Sequence, residues 1–138
     1  MQNPAKMLWI AQDATDQLCY GLPHLLEQCG KQMKERLKMH LMIDYVAGEN
    51  VFIYNHLDNL YKDPNLTIEC LWRTLKHVER SRGVLPRKLY LQFDNSGREN
   101  RNTQVFSMLS WWVKRGAFKE IEIGFLPVGH THNEPDQV

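Results

Sequence analysis

Cysteine is scarce, with Cys19, Cys29 and Cys70 the only three in 138 residues. An odd number at wide spacing offers neither a disulfide framework nor a zinc ribbon, and a reducing intracellular compartment is the expectation. No stretch approaches the roughly 18 uninterrupted apolar residues of a membrane span, so no membrane partner is expected. The opening MQNPAKMLWIAQD lacks a basic region ahead of a long apolar segment and does not read as a signal peptide. Internal repeats and low-complexity linkers are missing as well. So is a glycine-rich phosphate loop after the first apolar run, which argues against a nucleotide-binding Rossmann-like domain. The net charge is only +1, too small for wholesale attraction to nucleic acid.

What is present is enough apolar material, 43%, for one core of ordinary density, and a single domain over residues 1–138 is expected. A strand that begins almost at once and a dense motif at the very end lead us to expect a piece cut at both sides from a longer protein. The charge is unevenly spread. Residues 31–40 hold four basic groups against one acid and residues 72–88 hold six against one, whereas residues 41–71 are net acidic. A basic surface beside an acidic pocket is one reading; ordinary solvated helix faces are the other.

Hydrophobic periodicity orders the chain. Met7 to Ala11 is an almost continuous apolar run ending on a carboxylate, the mark of a buried central strand. GLPH at 21–24 is turn-prone, and the state of residues 25–38 is left open by Gly30. Residues 37–47 and 50–57 are β-rich segments joined across Gly48, which predicts a hairpin. Pro64 and Asn65 open a helix with Ile68, Leu71, Leu75 and Val78 inward, Glu69, Arg73, Lys76 and Arg80 outward, and Gly83 as its stop. Residues 87–94 form a strand ending on Asp94. A second amphipathic helix is predicted from about Thr103 to Arg115, then a strand over 119–127 and a final helix about where the chain stops. Of Trp111 and Trp112, only one fits a narrow buried stripe, and the other is expected at a partner-domain surface.

This order predicts an α/β fold with a mixed sheet, three antiparallel strands followed by parallel ones, and helices packed on the sheet. If the strand ending at Asp94 lies beside the first, Asp13 and Asp94 occupy neighbouring strand ends. Strands about 4.8 Å apart would let two carboxylates share a divalent cation.

The element order and acidic strand ends resemble the ribonuclease H-like superfamily of DDE transposases and integrases. Three blocks narrow this: DATDQLCYGLPH (13–24), LPRKLYLQFDNSGRENRN (85–102) and FLPVGHTHNEPDQ (125–137). They resemble an uncharacterised domain-of-unknown-function family (DUF7869-type) from transposon-derived eukaryotic proteins. The resemblance implies Asp13, Asp94 and Asp136 as metal-binding carboxylates, with Glu134 competing for the third place because Asn133 stands where an acid is usual. Pro135 also departs from the family pattern, replacing an aliphatic residue, as do Ala14 and Thr15 in the first block. It further implies two Mg²⁺ or Mn²⁺ ions, DNA as substrate, other domains of a parent protein or further copies of the chain as partners, and a nuclear location if the chain acts on DNA. The implied activity is metal-dependent phosphodiester cleavage or strand transfer. A catalytically inactive, domesticated module for nucleic-acid or protein interaction is the alternative.

Around these acids, His130 and His132 either serve the site, as ligands or by orienting phosphate or water, or bond within their loop. Asn95, Arg98, Asn100 and Asn102 either contact phosphate or fix the strand-to-helix loop. Asp16 reads as a turn-capping residue rather than a fourth ligand.

Overall fold

The computed structural model describes residues 6–14, 21–22, 37–57, 59–60, 62–96 and 98–126. Strand β1 (Met7–Ala14) lies in the middle of a mixed sheet. The two-residue strand β2 (Gly21–Leu22) pairs antiparallel with the first residues of β3 (Leu37–Val46). Beyond β3 comes β4 (Val51–Leu57), turned back through Gly48, whose φ of 76° is open to glycine without strain. On the other side of β1, β5 (Lys88–Phe93) and β6 (Glu120–Phe125) run parallel to it and to each other. The five main strands therefore stand in the order β4-β3-β1-β5-β6, antiparallel on one side of β1 and parallel on the other.

Helix α1 (Pro64–Arg82) starts because the Asp63 carboxylate accepts the Leu66 N–H and Pro64 sits in the first turn, where its missing N–H forms no intrahelical bond. It stops at Gly83, which takes a left-handed φ of 78° and donates its N–H to Glu79 O. Helix α2 (Thr103–Lys114) is capped in the same manner by Asn102, whose Oδ1 accepts the Val105 N–H. Both helices cover one face of the sheet. Leu8 and Ile10 of β1, Val46 of β3, and Leu89, Leu91 and Phe93 of β5 meet Leu71, Leu75 and Val78 of α1 and Val105, Leu109 and Trp112 of α2 in one hydrophobic core. Trp112 is buried and Trp111 exposed, as the width of the apolar stripe requires.

One local expectation is corrected. Gly21 and Leu22, expected in a turn, are strand residues paired with Lys38 and Leu37, because an available strand edge satisfies their backbone groups better than an isolated turn. The anticipated closing helix falls outside the described residues, as do residues 23–36.

Leu91 is fully buried on β5, between β1 and β6, in the core to which both helices contribute. Leu91→Ala should cost about 2–5 kcal/mol. Urea unfolding monitored by circular dichroism measures it; a loss under about 1 kcal/mol would mean that this site is not packed as described.

Candidate functional site

The parallel register of β1 and β5 pairs Leu8 with Leu89, Ile10 with Leu91 and Gln12 with Phe93. The next residue along each is Asp13 on β1 and Asp94 just past β5, so the two acids occupy adjacent places at the carboxyl ends of neighbouring strands. Their backbones are thus separated by about one strand spacing, ~4.8 Å. Asp13 also stands opposite Ile43 of β3 and accepts the Ala14 N–H on Oδ1 at 2.8 Å. Both acids are partly buried.

Asp94 is held from behind. Its Oδ1 accepts the Ser96 N–H at 3.2 Å and a short hydrogen bond from Asn100 Nδ2, while Oδ2 receives no described hydrogen bond. Asn100 is buried at 5% exposure, and its Oδ1 accepts from Thr67 Oγ1 at 3.2 Å. Asn100 therefore fixes the loop and the acid together rather than facing solvent as a phosphate contact. Its neighbours act on the loop too. Asn95 Oδ1 accepts from Arg101 Nη1 at 3.2 Å, and the Arg98 carbonyl accepts from Asn102 Nδ2 at 3.4 Å.

The support continues through the core. Gln12 Nε2 donates both hydrogens, to Thr67 O at 3.3 Å and to Asp44 Oδ1 at 2.8 Å. Thr74 Oγ1 donates to Asp44 Oδ2 at 2.6 Å. With that hydrogen committed to a carboxylate, Tyr54 is the donor in its 2.8 Å bond with Thr74. A run of side chains from four elements and one loop, Tyr54, Thr74, Asp44, Gln12, Thr67, Asn100 and Asp94, thus connects β4 to the candidate site. Asp44 is fully buried, and burial raises its pKa to about 6, against the lowering effect of the bonds from Thr74 and Gln12.

Glu99 is an acid that the sequence reading assigned no role. Burial raises its pKa; Lys62 opposes the shift, Asp94 adds to it, and Arg98 and His40 oppose it. It therefore lies within the electrostatic reach of Asp94. Its only signal in the sequence is its place in the GREN stretch, five residues past Asp94. The Cys70 thiol is pushed up to about 12, first by burial and then by Asp44, which makes it a core residue and a poor nucleophile.

Asp16, His130, His132, Glu134 and Asp136 lie outside the described residues. Among the described residues, no three His, Cys, Asp or Glu side chains converge as a metal-binding group. The pair Asp13 and Asp94 is what the described sheet brings together.

A family model described as Domain of unknown function (DUF7869) matches residues 30–138. The match includes the blocks around Asp94 and Asp136 and begins after Asp13. No curated protein matches the chain.

The Asp44 pKa gives a signed prediction. Below its ordinary value of 3.8 the carboxyl is protonated whether folded or not, and its burial carries no ionic cost. Between that value and about 6 the folded form holds the extra proton, so stability falls as pH rises and the loss is complete above about 6. The gap corresponds to about 3 kcal/mol. Asp44→Asn keeps an acceptor for Gln12 and a partner for Thr74, so its curve of stability against pH, measured by urea unfolding at pH 4 and pH 7, should lie flatter than wild type by about that amount. Parallel curves would contradict the assignment.

Proposed function

The chain belongs to the family described as Domain of unknown function (DUF7869), and from that premise we propose that it is the catalytic core of a transposase-derived, ribonuclease H-like nuclease acting on DNA. The observation that carries this reading is the β1/β5 register, which sets Asp13 and Asp94 side by side at the carboxyl ends of adjacent strands. Three antiparallel strands followed by two parallel ones, in the order β4-β3-β1-β5-β6, accord with it.

The donor set suits hard divalent cations. Both groups are carboxylates, and Asp94 has its Oδ1 fixed by Asn100 and Ser96 while Oδ2 receives no described hydrogen bond. Asp13 and Asp94 would hold Mg²⁺ or Mn²⁺, with Asp136 or Glu134 as the third ligand. Two such ions supply activation of a water or 3′-hydroxyl and stabilisation of the leaving oxygen in phosphodiester displacement. The chain's own residues do the rest. Asn100, anchored by Thr67, keeps the Asp94 carboxylate in one orientation before any ligand arrives, which lowers the ordering cost of binding. Glu99, whose pKa burial raises, lies within the electrostatic reach of Asp94 and adds negative charge beside it, which favours a cation there. A nuclear location follows from a DNA substrate.

Calorimetric titration with Mn²⁺ tests the metal site. Wild type should bind, Asp94→Asn should not, and Asn100→Ala should bind about 10–100-fold more weakly because the ligand loses its orienting partner. Absence of binding, or binding indifferent to Asp94→Asn, would end the metal-site reading. Cleavage of labelled DNA in Mg²⁺ separates the active enzyme from an inactive module: metal binding without cleavage supports the module.

A further inference from the structure

Helix α1 turns a basic and aromatic side away from the sheet. Trp72, Lys76 and Arg80 follow one another at four-residue intervals, with Arg73 alongside, so they form one exposed stripe. Together with Tyr54 of β4 they line a groove of about 340 Å³. Trp72 is 42% exposed, an unusual position for so large an apolar ring. It is held there by the buried Trp112, 6.0 Å away between ring centres, and carries the Lys76 ammonium 4.9 Å from its own centre. Glu69, the one acid among the described residues that line the groove, is already paired with Arg73 at 2.7 Å. Lys76 and Arg80 form no ion pair among the described residues, so the groove keeps a positive excess.

A flat ring with one exchangeable cation over it and another further along the helix matches a polymer with alternating phosphates and bases. We propose that this groove binds single-stranded nucleic acid, with a base taking the place of the Lys76 ammonium over the Trp72 ring and the backbone phosphates on Lys76 and Arg80. An acidic protein would pair with the cations but would leave the ring without a flat partner. Position favours the same occupant. Thr67, which anchors Asn100 and through it Asp94, is on this helix, and a rise of 1.5 Å per residue puts Arg80 about 20 Å further along the axis. A strand lying in the groove is therefore led toward the acid pair. The choice of a nucleic acid over another polyanion rests on the nuclease reading, but binding in the groove needs no metal.

The test uses the full chain in EDTA and fluorescence anisotropy with a labelled oligothymidylate of about 12 nucleotides. Wild type should bind it more tightly than a duplex of equal length and should resist displacement by polyglutamate. Trp72→Ala should weaken binding about tenfold. Lys76→Ala with Arg80→Ala should lower the slope of log affinity against log salt by about 1.4. Both substituted residues of the second variant are exposed, so it stays informative if loss of the Trp72 contact with Trp112 unfolds the first; circular dichroism reports that. Equal binding of duplex, displacement by polyglutamate at matched charge, or an unchanged salt slope would overturn the proposal. So would preference for an acidic peptide. Binding in EDTA with a failed Mn²⁺ titration would retain the groove and reject the nuclease, and the reverse pattern would do the opposite.

Discussion

The parallel alignment of β1 with β5 is the constraint on which the molecule depends. Because Leu8, Ile10 and Gln12 stand beside Leu89, Leu91 and Phe93, the apolar side chains of both strands enter the same core beneath the helices. A slip by one residue would turn Leu89, Leu91 and Phe93 out of that core and place Lys88, Tyr90 and Gln92 in it. The alignment that buries the apolar set also fixes where each strand ends. Asp13 and Asp94 are neighbours for the same reason that Ile10 and Leu91 are.

Gln12 joins this apolar arrangement to a polar one. It occupies a core position next in line after Leu8 and Ile10, yet it uses both amide hydrogens, on Asp44 and on the backbone of Thr67. An aliphatic residue there would leave the fully buried Asp44 carboxylate short of a donor, at a cost of about 1–3 kcal/mol. The buried acid weakens the fold at neutral pH, yet it fixes α1 to β3 through Thr74 and to β1 through Gln12. Through Thr67 and Asn100 the same set of bonds sets the direction of Asp94. A rigid carboxylate with one oxygen engaged is a better ligand than a mobile one, so the polar core links folding to the candidate chemistry.

Much of this was legible in the sequence. The inward and outward sets of α1, the hairpin across Gly48 and the strand ending before Asp94 follow from hydrophobic period and turn chemistry, which act locally. Placement of Asp13 beside Asp94 needed only one long-range assumption, that the two acid-terminated strands are neighbours. Other features were not legible, because they depend on contacts between residues far apart in the chain. Nothing near Asp44 distinguishes it from an exposed strand acid; its burial comes from Gln12, 32 residues earlier, and Thr74, 30 later. Asn100 looked equally suited to phosphate or loop until Thr67 appeared behind it. Glu99 has no signal of its own because its carboxyl acquires an unusual environment only when the loop brings it within reach of Lys62 and His40. The pairing of Gly21 and Leu22 likewise depends on a partner strand 16 residues away.

The central claim is that one ion is shared by two strand ends. Paramagnetic broadening tests it most directly, since Mn²⁺ quenches only nearby amide signals and does so steeply with distance. In ¹H–¹⁵N spectra recorded with substoichiometric Mn²⁺, the amides of Asp13, Ala14, Asp94 and Asn95 should lose intensity together, while those of α1 beyond Leu75 keep theirs. Broadening confined to one strand end, or centred elsewhere on the protein, would contradict the account.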